Sequence, residues 1–280
     1  MRYGNINGRV ALLSGDLALD VEKASDGRFG PDPDGVYEKW DEFAAWARGQ
    51  SFEDAVPFTY VEVGPPVLRP AQIFAIGLNY DAHASESGMQ ASATAPPVFT
   101  KFVTSITGPY DAVRLPSASV DWEVELVVVI GKRAEGVTKE QGWDHVAGLT
   151  IGQDLSEREV QLAGPVPQFS LGKSYPGFSP IGPAIVTPDE LADRDDLALS
   201  CSVGDEVLQD GRTRDLIVSV PALVSYLSSV VALLPGDVIF TGTPAGVGMG
   251  RDPKRYLVPG TTLVSEIEGI GRLRNDLVAD

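Results

Sequence analysis

The sequence predicts a β-rich α+β fold preceded by a small α/β unit. Three observations carry this. Turn signals recur at short spacing between brief apolar runs, as they do between the strands of antiparallel or mixed sheets. Helical periodicity is confined to a few stretches, too few for a regular βαβ array. Gly64-Pro65-Pro66 breaks both periodicities and divides residues 1–66 from 67–280.

Taken in order, Val10-Ala11-Leu12-Leu13 follows an Asn7-Gly8 turn and reads as a short strand. Trp40 to Arg48 places Trp40, Phe43, Ala44 and Ala47 on one helix face. Gln72 to Gly77 is a buried strand. Asn79-Tyr80-Asp81 then offers capping side chains to a short helix from Ala82 to Met89. Leu126 to Ile130 is the next strand, opened by Asp121-Trp122-Glu123-Val124-Glu125. Ala147 to Leu149 leads to Gln153-Asp154-Leu155, and Ser156-Glu157-Arg158 reads as a helix start. A Gly/Pro-rich loop runs through Lys173, and Gly204-Asp205 is a turn. A long helix is expected near 221–233. Pro235-Gly236-Asp237 turns into the strand Val238-Ile239-Phe240 and then the loop Thr241 to Gly248.

Composition excludes several classes. The 280 residues carry 22 basic and 39 acidic side chains, 22 − 39 = −17. That balance speaks against nucleic acid, which is bound through clustered Lys and Arg, and against anionic membrane surfaces. The single cysteine, Cys201, allows no internal disulfide, which suits a reducing compartment. Met1-Arg2-Tyr3-Gly4-Asn5 lacks the apolar core of a signal peptide. Ile217 to Leu234 is interrupted by Pro221 and four serines, so it reads as a buried amphipathic helix and not a membrane span. A cytoplasmic protein is the expectation.

The chemistry starts at Glu123 and Glu125. On a strand, residues two apart share a face, about 7 Å apart at the backbone. Buried like charges are costly unless they shift their pKa or find a cation, and a divalent metal is the simplest resolution. A solvent-washed strand face is the bland alternative. Asp154, after a strand and before a helix, is the natural third ligand; its alternative is a helix N-cap. Three carboxylates without Cys or clustered His make an all-oxygen site that prefers Mg²⁺ or Mn²⁺ over Zn²⁺. His83 precedes Glu86 by three, which on a helix puts both side chains on one face. A carboxylate beside an imidazole fixes its tautomer and builds a general base; a surface ion pair is the alternative. Arg158 and Gln161, also three apart, can bind a carboxylate, and Lys173 can stabilise an enolate.

These motifs together resemble the fumarylacetoacetate hydrolase family. The resemblance rests on Gly77-Leu78-Asn79-Tyr80-x-x-His83-x-x-Glu86 and Asp121-Trp122-Glu123-Val124-Glu125-Leu126. It rests equally on Gln153-Asp154-Leu155-Ser156-Glu157-Arg158-x-x-Gln161, Gly172-Lys173-Ser174, Pro180-Ile181-Gly182-Pro183 and Leu234 through Gly248. The motifs arrive in family order across about residues 70 to 275. The resemblance implies mixed β-roll or barrel-like sheets with few helices. It implies Mg²⁺ or Mn²⁺ at Glu123, Glu125 and Asp154, and a water-activating dyad of His83 and Glu86 on a lid helix. It gives Lys173 to the enolate, Gln161 to the substrate, and Tyr80, Arg158 and Thr243 to the substrate site. It also implies a homodimer. Pro167-Gln168-Phe169-Ser170-Leu171 departs from the family's commoner Trp-containing segment, and it lies where a pocket wall is expected.

The expected activity is cleavage of a carbon–carbon bond in a β-diketo or 2-oxo acid of acylpyruvate type. His83 would activate water, and the metal and Lys173 would hold the enolate. The family also implies alternatives on the same site: an oxaloacetate-type decarboxylase, a 2-oxo-dienoate isomerase or hydratase, or a non-catalytic metal-binding homologue.

Overall fold

The computed structural model describes residues 1–88 and 90–280. Its central element is the strand Val124–Ile130, buried at every position. Four of its seven residues are β-branched valines and one is isoleucine, the residue types that pack best on a pleated surface buried on both faces. Val124, Leu126, Val128 and Ile130 enter one core with the second sheet and the helix Val220–Ser228. Val127 and Val129 enter the other, with Tyr3, Trp40 and Phe43. Each such side chain contributes roughly 1.5–3 kcal/mol by leaving water.

Val124–Ile130 pairs antiparallel with Val146–Gln153 on one side and Val238–Phe240 on the other. These strands belong to a 12-stranded sheet. From one edge its path runs Val56–Pro57, Leu17–Asp20, Arg9–Ser14, Arg2–Ile6 and Ser179–Val186. It continues through Val146–Gln153, Val124–Ile130, Val238–Phe240 and Ile73–Ile76 to Val98–Thr100. A five-stranded sheet of Glu206–Arg212, Ala198–Val203, Thr262–Ile267, Gly271–Ala279 and Val113–Leu115 packs with it. Mixed sheets with few helices are the class expected. Val63–Gly64 and Ile106–Thr107 branch from Arg2–Ile6 and Ser179–Val186, and among the described residues no sheet closes into a barrel.

The N-terminal strands continue the same sheet through Arg2↔Val186 and Tyr3↔Ile185. Tyr3, Phe29 and Phe43 meet edge-to-face at 5.5–5.6 Å and close over the far face of Val127 and Val129. Residues 1–66 and 67–280 therefore share both sheet and core.

Local expectations hold with three corrections. The strands at Val10–Leu13, Ile73–Ile76 and Val238–Phe240 and the helix Trp40–Ala47 stand where expected. The helix expected over 82–89 is Asp81–Glu86, and Met89 lies outside the described residues. Asn79 does not cap it: the cap position is Tyr80, without a side-chain bond, and the Asn79 amide holds the backbones of Val218 and Thr241 instead. The helix near 221–233 ends at Ser228, because Leu233 leaves to bridge Ala134 and the Ser228 carbonyl accepts from Gly136 N–H.

Candidate active site

Strand register builds the acidic centre. Glu125 points to the same face as Val127 and Val129, and Glu123, just before the strand, keeps the alternation. Glu125 lies opposite Gly152, so Asp154, one residue past the partner strand, arrives beside Glu123. The Asp154 N–H donates to the Glu123 carbonyl at 2.9 Å. Glu123, Glu125 and Asp154 are all buried, and one ligand oxygen from each lies within 4.8 Å of the others. Asp154 is not an N-cap: Glu157 caps the helix Arg158–Gln161, accepting from Val160 N–H.

Cations balance two of the three carboxylates. Lys173 Nζ bridges Glu123 at 2.6 Å and Asp154 at 2.7 Å. Arg158 Nη2 lies 2.8 Å from Glu123 and 2.7 Å from Asp121 as an ion pair, not aligned for a hydrogen bond. Burial alone would raise the Glu123 carboxyl, but Lys173 and Arg158 hold it down at about 2. Burial lowers the Lys173 ammonium's pKa, yet Asp154 and Glu123 outweigh it and the net direction is up. Glu125 has the opposite fate. Its hydrogen-bond donor is the Gly242 N–H at 2.7 Å. Burial, then the charges of Asp154 and Glu123, push its carboxyl well above the usual range. A buried acid facing two others with one backbone donor is a site short of positive charge. Hard oxygen donors in that state fit a divalent ion such as Mg²⁺ or Mn²⁺. Gly242 is required here: its φ is +103°, and an added Cβ would stand 2.7 Å from Asn79 Cβ.

The dyad forms as the spacing predicts. His83 and Glu86 share a face of Asp81–Glu86, and Nδ1 meets Glu86 Oε1 at 2.8 Å. The second Glu86 oxygen accepts from Gly246 N–H at 2.9 Å, so the carboxylate is fixed at both ends. With Nδ1–H donated to Glu86, Nε2 carries the lone pair. Leu78, at the base of this helix, holds a φ of +53°, an unusual conformation for a branched side chain.

A cavity of about 40 Å³ joins the parts, lined by His83, Glu123, Glu125, Arg158, Gln161, Lys173 and Thr243. Leu78, Phe99, Leu162, Phe169 and Met249 add apolar wall, so the divergent segment at 167–171 does reach the pocket through Phe169. Arg158 Nη1 donates to Gln161 Oε1 at 2.8 Å, which turns the Gln161 NH₂ group toward other partners. Thr243 Oγ1 donates to the Val124 carbonyl at 2.9 Å. Tyr80 is not among the lining residues. Its ring is buried, its hydroxyl has no partner among the described residues, and burial followed by the Glu125 charge raises its pKa.

Two further charged residues belong here and are absent from the candidates above. Lys101 Nζ is buried against Asp154 Oδ1 at 2.5 Å. Asp121 accepts from the N–H groups of Trp122, Gly248 and Met249 and from Arg158 Nε. A lysine just after Val98-Phe99-Thr100 and an acid opening the Glu-x-Glu segment were the available signals.

Residues 72–278 match the family model for the fumarylacetoacetate (FAA) hydrolase C-terminal domain. The chain belongs to the fumarylacetoacetate hydrolase family. It is 41% identical over 225 residues to the human mitochondrial oxaloacetate tautomerase FAHD2A, covering 80% of this chain and 71% of that protein. Among solved structures, an HpcE-like protein of Mycobacterium smegmatis superposes with a TM-score of 0.95 at 54% identity, covering 100% and 99% of the two chains. The maleylpyruvate hydrolase of Sphingobium sp. SYK-6, in complex with manganese(II) and pyruvate, gives 0.81 at 29% identity, covering 100% and 99%. In this chain the fold brings His83, Glu123, Glu125, Arg158 and Lys173 to one cavity, with Asp154 and Glu86 bonded behind them. Among the described residues no helix is long and apolar enough to cross a membrane.

Proposed function

We propose that this enzyme interconverts the keto and enol forms of a small 2-oxo dicarboxylic acid of oxaloacetate type, with Mg²⁺ or Mn²⁺ held by Glu123, Glu125 and Asp154. The observation that carries this is the Glu86-oriented imidazole lining the same cavity as Glu123, Glu125 and Lys173. Identity to an oxaloacetate tautomerase points the same way.

The residues divide the work. A bound divalent ion supplies Lewis-acid polarisation of the 2-oxo carbonyl. His83 Nε2 takes a proton from the carbon next to that carbonyl, and the electron pair moves to the oxo oxygen. Returning the proton to that oxygen gives the enol, and the reverse gives the ketone. Lys173 contributes positive charge where the oxygen becomes negative. Arg158 and the Gln161 amide orient the substrate carboxylate.

Hydrolysis of an acylpyruvate is the second reading, supported by the complete dyad, which can equally deprotonate water, and by the likeness to maleylpyruvate hydrolase. One comparison separates them. With added Mn²⁺, the decay of enol absorbance of oxaloacetate is followed against pyruvate release from acetylpyruvate and CO₂ release from oxaloacetate. Tautomerisation predicts accelerated enol decay without either cleavage. Cleavage of acetylpyruvate with enol decay at the buffer rate would establish the hydrolase instead.

A further inference from the structure

We propose that Lys101 is a positioning residue, which aims the Asp154 carboxylate at the metal site and ties it to the backbone that carries Lys173. An ammonium has three N–H donors and no acceptor. All three are taken: Asp154 Oδ1 at 2.5 Å, the Phe178 carbonyl at 3.2 Å, and the Lys173 carbonyl. The side chain is fully buried and is not among the residues lining the cavity. Lys101 therefore has nothing left to offer a substrate. Its effect on chemistry passes through what it holds.

What it holds is specific. Asp154 has two oxygens. Lys101 occupies Oδ1, and Oδ2 accepts from Lys173 Nζ at 2.7 Å. The two carbonyls bracket the turn between the helix Phe169–Gly172 and the strand Ser179–Val186. One ammonium thus fixes both the rotation of a ligand and the place of the lysine beside it. A buried ion pair is weak evidence of stability by itself, since an apolar pair of similar volume often does as well. Orientation of Asp154 gives the pair a role that an apolar pair could not fill. The inference rests on Glu123, Glu125 and Asp154 being the metal site.

The test is Mn²⁺ affinity of the full-length chain, read from the electron paramagnetic resonance of free Mn²⁺. Wild type, Lys101→Met, Asp154→Asn and the double variant are compared, with stability followed by urea melts in EDTA. Lys101→Met should weaken Mn²⁺ binding 10–100-fold, the range for a residue that orients a metal ligand. On the Asp154→Asn background the same change should cost little more, because two residues acting through one carboxylate are not additive. Lys101→Gln, whose amide can still serve the two carbonyls, carries the same expectation should the Met variant not fold. A purely structural role predicts lower stability with unchanged Mn²⁺ affinity, and that result overturns the inference. So does full additivity in the double variant. A wild-type protein that binds no Mn²⁺ overturns the metal site itself, which is a different outcome.

Discussion

Glu125 is the residue at which burial, like charge and a single backbone donor meet. Glu125→Gln keeps an acceptor for Gly242 and removes one of three converging charges. Melts in EDTA should show stability equal to or above wild type, while Mn²⁺ affinity falls by more than the 10–100-fold typical of a residue that only orients a ligand. A clear loss of metal-free stability would mean that Glu125 serves the fold and not an ion. His83 divides differently. His83→Ala should lower kcat on the order of 10²-fold or more, the share of a lost general base, while Mn²⁺ is still bound, since His83 is not among the three carboxylate ligands. Unchanged turnover would remove His83 from proton transfer. These residues were legible because their rules are local: period two for Glu123 and Glu125, and an i, i+3 step for His83 and Glu86. Lys101 was not, since its partners lie 53 and 72 residues away and no short spacing announces them.

At the level of the element, the segment after Val238–Phe240 acts as a strap of N–H groups. Gly242 donates to Glu125, Gly246 to Glu86, and Gly248 and Met249 to Asp121. One stretch of backbone therefore sets the acidic centre, the dyad and the Arg158 pair together. The last anchor is the most exposed to mutation in energetic terms. Asp121 is fully buried, and Asp121→Asn would remove one of the two carboxylates that neutralise Arg158 and set an NH₂ group against donors. Breaking one side of a buried pair typically costs about 3–5 kcal/mol, so urea midpoints should fall sharply and turnover with them. A variant as stable as wild type would show the strap to be held elsewhere. Glycines and prolines in 235–248 marked this segment as a loop. That its N–H groups converge on three distant acids was invisible, because loop direction is set by tertiary packing. The same limit explains the helix Val220–Ser228: its apolar run extends past Ser228, but the last residues pair with Ala134 instead.

For the whole molecule, the strand content and mixed-sheet class were legible from turn spacing, but the joining of residues 1–66 to the rest was not. Gly64-Pro65-Pro66 breaks periodicity without ending the sheet, because the contact across it is made by Arg2–Ile6 against Ser179–Val186, far away in sequence. The physical consequence is a shared core. Val127, Val129, Ile181, Ile185, Val238 and Phe240 turn one face to Tyr3, Trp40 and Phe43. Exposing six such side chains at roughly 1.5–3 kcal/mol each costs on the order of 10 kcal/mol, as much as the entire stability of an ordinary domain. Residues 67–280 expressed alone should therefore lack a cooperative urea transition and show no Mn²⁺ binding, even though they contain every acidic, basic and dyad residue of the site. The full-length chain should melt in one transition, raised by Mn²⁺ by about 2.7 kcal/mol at a hundredfold excess over Kd. A soluble 67–280 fragment with its own cooperative melt and wild-type Mn²⁺ affinity would show that the N-terminal strands extend the sheet without supporting the catalytic centre.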